Sequence, residues 1–280
     1  MLEKIRFVNH MNEEMALGSS GIFVNYNDLH DYAWDVTKKN NKISSFSKGV
    51  VKKTIPLILC CTSESEGLMA KNKLMEIAEK DILANTHGKI IIGDYYLKCF
   101  ITGSKKKKYL INKGYMEVNL TVTTDYPQWV KETITSFRVN GDIITDTEET
   151  EKKNFDYNYD FPHDYTSGMK NRTLNNSGFV GSNFKIIIYG AVVNPAIHIA
   201  GHTYEVECEI GKNEYLTIDS LDKTVVLKKS DGTTVNYFNL RNRDSYIFQT
   251  IPSGKNTVLW NNSFGFDVIL YEERSEPKWT

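Results

Sequence analysis

The sequence contains no run of about 18 apolar residues, the length that a membrane-crossing helix needs. Its opening, MLEKIRFVNH, has no apolar core of the kind a secretory signal peptide carries, so none is expected. Cysteine is scarce: Cys60, Cys61, Cys99 and Cys208 are the only four in 280 residues. They form no C-x-x-C, and the adjacent pair would point to opposite faces of a strand. Free core thiols in a reducing compartment are therefore expected, rather than a disulfide framework or a metal site. Charge of one sign is also missing. With 34 basic and 35 acidic side chains, no global field draws the chain to nucleic acid or to an anionic membrane. There is no G-x-S-x-G, no phosphate-binding loop and no G-x-G-x-x-G. No enzyme and no cofactor are expected on that basis, although a carboxylate pair assembled from distant segments leaves no motif in a sequence.

What the chain does have is alternation with period two, the mark of half-buried strands. In YMEVNLTVTTD, Met116, Val118, Leu120 and Val122 fall on one face. VVKKTIPLILCC (50–61) reads as a longer strand, with Pro56 pointing to an edge or a bulge. KIIIGDYYLKCFITG (89–103) reads as a hairpin turning at Gly93-Asp94. One segment, 63–88, is helical: Ser63 and Glu66 have capping-box spacing, and Gly88 stands as a stop signal. Its stripe of Leu68, Met75, Ala78 and Ile82 is expected to pack on a sheet, the alternative being a groove for a partner. A polar stretch (140–154) reads as a turn or linker, and a Tyr/Asp-rich segment (155–165) follows. The second half offers strand candidates at 184–189, 203–210, 214–219, 223–228, 233–238, 245–249, 256–260 and 265–272, the rhythm of a β-sandwich or jelly roll. The class is mainly β in two domains, 1–135 and 136–280.

Three clusters invite a site. His198 and His202 have the spacing of two metal ligands on a helix, but Asn194-Pro195 and Gly201 interrupt the segment and the glutamate of H-E-x-x-H is absent. On a strand, residues four apart lie about 13 Å from each other, too far for one ion. Lys105, Lys106, Lys107 and Lys108 form the densest charge run and are expected at a hairpin tip; Lys38 and Lys39 open a second basic stretch. Such lysines either face a polyanion or a neighbouring chain, or protect a strand edge.

The pieces NPAI (194–197), YLTID (215–219), IFQTIPSGKNTVLW (247–260) and ERSEPKW (273–279) occur in an order and spacing that resemble the C-terminal region of the distal tail (Dit) proteins of siphophages. IRFVNHMNEEMAL (5–17) is similar to that family's opening strand and turn, and YDFPHDY (159–165) to its interdomain segment. The resemblance implies an N-terminal β-barrel belt domain with one α-helix, closing as a homo-hexameric ring, and a C-terminal galectin-like β-sandwich. It implies a structural hub at the distal end of a virion tail, made in the cytoplasm of a host bacterium. Its partners would be tail tube protein, a tail-associated lysin or tip protein and, in some phages, receptor-binding protein, with DNA only as passing cargo and no membrane. The family has no catalytic residues to carry over. Within it, Lys38, Lys39 and Lys105–Lys108 become channel or inter-subunit candidates. Tyr159, Phe161, Tyr165 and Trp279 become interdomain candidates, with the last residues returning to the belt domain. The galectin-like label makes Asn239, Arg241 and Trp260 carbohydrate candidates, although the ordered lectin motif is missing; the rival reading is a carbohydrate-binding module in host-surface adhesion.

Overall fold

A computed structural model describes residues 4–19, 21–110, 112–139, 144–145 and 172–279. The described residues form strands and one α-helix, a mainly β protein. They fall into two compact units, Met1–Lys131 with Glu273–Thr280, and Glu132–Glu272.

In the first unit the strands are β1 (Ile5–Val8), β2 (Glu14–Leu17), β3 (Ile22–Val24), β4 (Asp35–Lys39), β5 (Lys42–Ser47) and β6 (Val51–Cys60). After α1 (Glu64–Ala84) come β7 (Gly88–Ile92), β8 (Tyr95–Lys107), β9 (Tyr115–Thr124) and the start of β10 (Trp129–Phe137). All pairings are antiparallel. One sheet runs β2-β1-β7-β8-β10 and a second runs β3-β6-β9-β8, so β8 serves both. It changes partner along its length. Residues up to Cys99 pair with β7, those from Phe100 pair with β9, and a register shift at Ile101/Gly103 marks the bend. The alternation read from β9 is realised: Met116, Val118, Leu120 and Val122 are buried beside Ile55, Leu57 and Leu59 of β6. Pro56 sits in an interior strand, between β3 and β9, rather than at an edge. It stands opposite Asn25, just past the end of β3: its carbonyl accepts from the Asn25 N–H at 3.0 Å, and its missing N–H withholds the return bond, so the β3 ladder ends there.

The second unit is a two-sheet sandwich. Its strands are β11 (Ile144–Thr145), β12 (Arg172–Asn176), β13 (Asn183–Tyr189), β14 (Val192–Val193), β15 (Ala196–Ile199), β16 (His202–Glu205) and β17 (Glu209–Ile210). They continue as β18 (Tyr215–Asp219), β19 (Thr224–Lys228), β20 (Thr234–Asn236), β21 (Gly254–Leu259) and β22 (Phe266–Arg274). One sheet is ordered β22-β13-β18-β19-β20 and the other β12-β21-β15-β16. Phe184, Ile186, Ile188, Leu216 and Ile218 of the first meet Ile197, Tyr204, Val258 and Leu174 of the second in one core. The expected strand at 245–249 is absent: Ile247 and Phe248 enter this core from an irregular loop. Conversely, Pro195 does not end the structure around it. The strand Ala196–Ile199 follows at once and turns at Ala200-Gly201, both at positive φ, into β16. The cysteines divide: Cys99 and Cys208 are free thiols in the core, whereas Cys60 is exposed and Cys61 half-buried.

Candidate functional site

Three features of the first unit present binding surface. The first is the open end of the β3-β6-β9-β8 sheet. The lysine run does not form a hairpin tip. Lys105, Lys106 and Lys107 lie within β8, paired with Asn119, Val118 and Glu117, and the chain turns only at Lys108, whose φ is +47°. Strand pairing with β9 outweighs the modest β-propensity of lysine here. Lys108 is held by Glu117 at 2.9 Å, which raises its pKa through that hydrogen bond. Among the described residues no strand pairs with the far edge of β8 beyond Phe100, and β3 pairs only with β6. The sheet thus has a free strand at each end, the β8 end lined by lysines.

The second feature is an apolar groove of about 810 Å³ between α1 and the outer part of β8–β9. The helix begins as its sequence predicts, with the Ser63 hydroxyl accepting from the Glu66 N–H and the Glu66 carboxylate accepting from the Ser63 N–H. It ends on Asn85 in the left-handed conformation, before the Gly88 that the sequence marks as a stop. Gly88 serves packing instead: a Cβ there would lie 2.2 Å from Asp81 Oδ2 and 2.8 Å from the Phe7 ring. The buried face of α1 is Gly67, Leu74, Ile77 and Asp81. The expected apolar stripe is turned outward by about one residue, leaving Leu68 44%, Met75 54% and Ile82 44% exposed. Gly67 fixes this rotation, because a Cβ on it would come within 2.5 Å of the Gly114 backbone. At the other end the buried Asp81 carboxylate accepts from the His10 backbone N–H at 2.9 Å and lies 2.6 Å from its ring Nδ1. Met75, Ala78 and Ile82 line the groove with Ile101, Met116 and Tyr109.

The third feature is the β4–β5 hairpin, which carries Lys38 and Lys39. It turns at Asn40-Asn41, with φ of +51° and +60°, and every residue of both strands is exposed. Its base is fastened. Lys48 Nζ donates to Ser275 Oγ at 2.8 Å and to Gln128 Oε1 at 3.3 Å, and lies over the Trp34 ring at 4.3 Å.

The remaining candidates separate. Trp279 stacks on His30 with ring centroids 4.0 Å apart, inside the first unit. Tyr159, Phe161 and Tyr165 lie outside the described residues. Trp260 is fully buried, donates its Nε1–H to the Phe264 carbonyl and packs on Phe137 and Phe266. With no exposed face it cannot stack a sugar, and the carbohydrate cluster loses its aromatic platform. Arg241 covers the Phe238 ring at 3.8 Å and donates to the Phe238 carbonyl; Asn239 is exposed. His198 and His202 lie on the two arms of a hairpin, His198 Nδ1 3.0 Å from Thr203 Oγ1 and His202 Nε2 donating to the Tyr246 carbonyl.

No family model matches the chain, and no curated protein matches it. Solved structures do. The crystal structure of SPP1 Dit, described as a paradigm of the hub adsorption apparatus in phages infecting Gram-positive bacteria, is similar with a TM-score of 0.58 at 9% identity, over 98% of this chain and all of that one. A chain of the phage P2 baseplate in its activated conformation with Ca is similar at 0.64 with 14% identity, over 99% of this chain and all of that one. The same baseplate with Sr gives the same values. At such identities the likeness is one of fold, and it runs from end to end: this chain has the fold of a phage distal tail and baseplate protein.

Proposed function

We propose that the protein is the distal tail hub of a long-tailed phage or a related particle, closing as a homo-hexameric ring between the tail tube and the tail tip or baseplate. The first unit is the ring-forming belt, and the second is the galectin-like sandwich. The observation that carries this reading is the β3-β6-β9-β8 sheet with a free strand at each end, in a chain whose fold is that of SPP1 Dit over its full length. Two different edges on one subunit make a heterologous contact, which closes into a ring when the rotation per subunit is right. The work asked of this chain is self-assembly and attachment, without catalysis. Its partners are further copies of itself, the tail tube and tip proteins and, at the periphery, receptor-binding protein. Its place is the far end of the virion tail.

Light scattering of the purified chain over a concentration series tests the ring. Six copies of the 32.1 kDa chain give about 193 kDa, or twice that for stacked rings. A mass that stays at one chain at every concentration removes self-assembly from the reading.

A further inference from the structure

Among the described residues the β4–β5 hairpin has no sheet to lie on. Its strands pair only with each other, and every residue of both is exposed. A two-stranded hairpin is marginal in water, so its direction is set by the two legs that carry it. The incoming leg is fixed early. Lys53 gathers the carbonyls of Asp28, Leu29 and Asp31 and closes the 28–31 loop from within. The outgoing leg has no such loop. It leaves β5 at Lys48, whose ammonium closes the hairpin base over the Trp34 ring.

Segment 273–279 joins the fixed leg to the loose one. At one end Ser275 Oγ accepts from Lys48 at 2.8 Å, the nearest of three acceptors; the Pro127 carbonyl and Gln128 Oε1 stand at 3.3 Å. At the other end the Trp279 ring lies flat on His30 of the 28–31 loop, 18° from parallel. Trp279 stays 73% exposed, so it acts as a clip on that loop and not as a core residue. The segment is itself anchored: Glu273 hydrogen-bonds the Tyr126 hydroxyl, and Pro277 is buried. Pro277 lies midway between Ser275 and Trp279, and its locked φ narrows the positions that they can take relative to each other.

From this we infer that residues 273–279 form a strap that sets the direction of the β4–β5 hairpin, tying its outgoing leg at Lys48 to the loop that begins its incoming leg. The strap follows the second unit in the sequence, so the hairpin of the first unit is set only once the second has been made. Without the strap the first unit keeps its sheets and core, and the hairpin swings on a loosened base. This goes beyond the self-assembly reading and needs no second copy.

The test compares the full chain with its Ser275→Ala/Trp279→Ala variant by hydrogen exchange and mass spectrometry. Both are held at concentrations where light scattering gives them the same mass, so that a lost neighbour cannot mimic a lost strap and the self-assembly reading stands or falls separately. Fragments covering residues 32–50 should exchange on the order of tenfold faster in the variant. Fragments covering 22–31, held by Lys53, and 115–124, in β9, should keep their rates. A chain ending at Arg274 should show the same pattern, and Ser275→Thr, which keeps the hydroxyl, should exchange like the parent. Unchanged rates over 32–50 overturn the strap. An acceleration shared by 115–124 also overturns it, because the segment then stabilises the unit as a whole.

Discussion

Lys53 carries an ammonium into the interior of the first unit, where only 5% of the residue stays exposed. There it donates to the backbone carbonyls of Asp28, Leu29 and Asp31, closing the 28–31 loop around one cation. Burial lowers its pKa, and the nearby Asp31 and Asp28 charges pull the other way. Lys53→Met keeps the apolar stem and strips three carbonyls, that of Leu29 buried and those of Asp28 and Asp31 partly so, of their donor, which costs about 2 kcal/mol. Urea denaturation should show the midpoint falling at unchanged slope. An unchanged midpoint would mean that water replaces the ammonium. Nothing in VVKKTIP singles out Lys53 from Lys52, since both read as polar positions of a strand. Strand parity separates them only once Ile55 and Leu57 are assigned to the core.

At the scale of elements, the helix start was fully legible and the helix face was not. The Ser63/Glu66 box is spelled by spacing alone, and the hydrogen bonds form as spelled. Ser63→Ala leaves the Glu66 N–H without its side-chain acceptor and should cost about 1 kcal/mol in thermal or chemical unfolding. A change near zero would show that water serves the N–H equally well. The face was misread because its seam is not apolar. Gly67 meets Gly114 by close approach and Asp81 meets His10 by hydrogen bond, so neither registers in a hydrophobic periodicity, whereas the outward Leu68, Met75 and Ile82 do. Sequence alternation located β9, β18 and β19 because each buries one face in its own unit. It misplaced the lysine run, because pairing with β9 is a long-range fact that lysine propensity does not announce. Trp260 drops out as a sugar platform for a similar reason, as such a tryptophan reads alike in a sequence whether its ring meets a sugar or Phe137 and Phe266.

Across the whole molecule the buried titratable groups set one limit, on the alkaline side. Burial pushes the Cys208 thiol up to about 11, and burial with the Asp267 hydrogen bond pushes the Tyr189 hydroxyl up to about 12. Burial also raises Cys99, Tyr126 and Tyr204. Each stays neutral in the fold and ionises earlier in the unfolded chain, near 8.5 for cysteine and about 10 for tyrosine. The unfolded chain therefore holds fewer protons at high pH. Their contribution is fully present below about pH 8.5 and is lost as pH rises through 9 to 12. Lys48 and Lys53, whose pKa values burial lowers, work in the opposite sense, and both lie in the first unit. Cys99 and Tyr126 lie in the first unit and Tyr189, Tyr204 and Cys208 in the second, so the alkaline loss falls on both. Thermal melts from pH 7 to 11, followed by tryptophan emission, should show a level region and then a fall. Tyr189→Phe removes one of the titrating groups and should make the fall shallower above pH 10; a slope identical to the parent would show that Tyr189 ionises alike in both states.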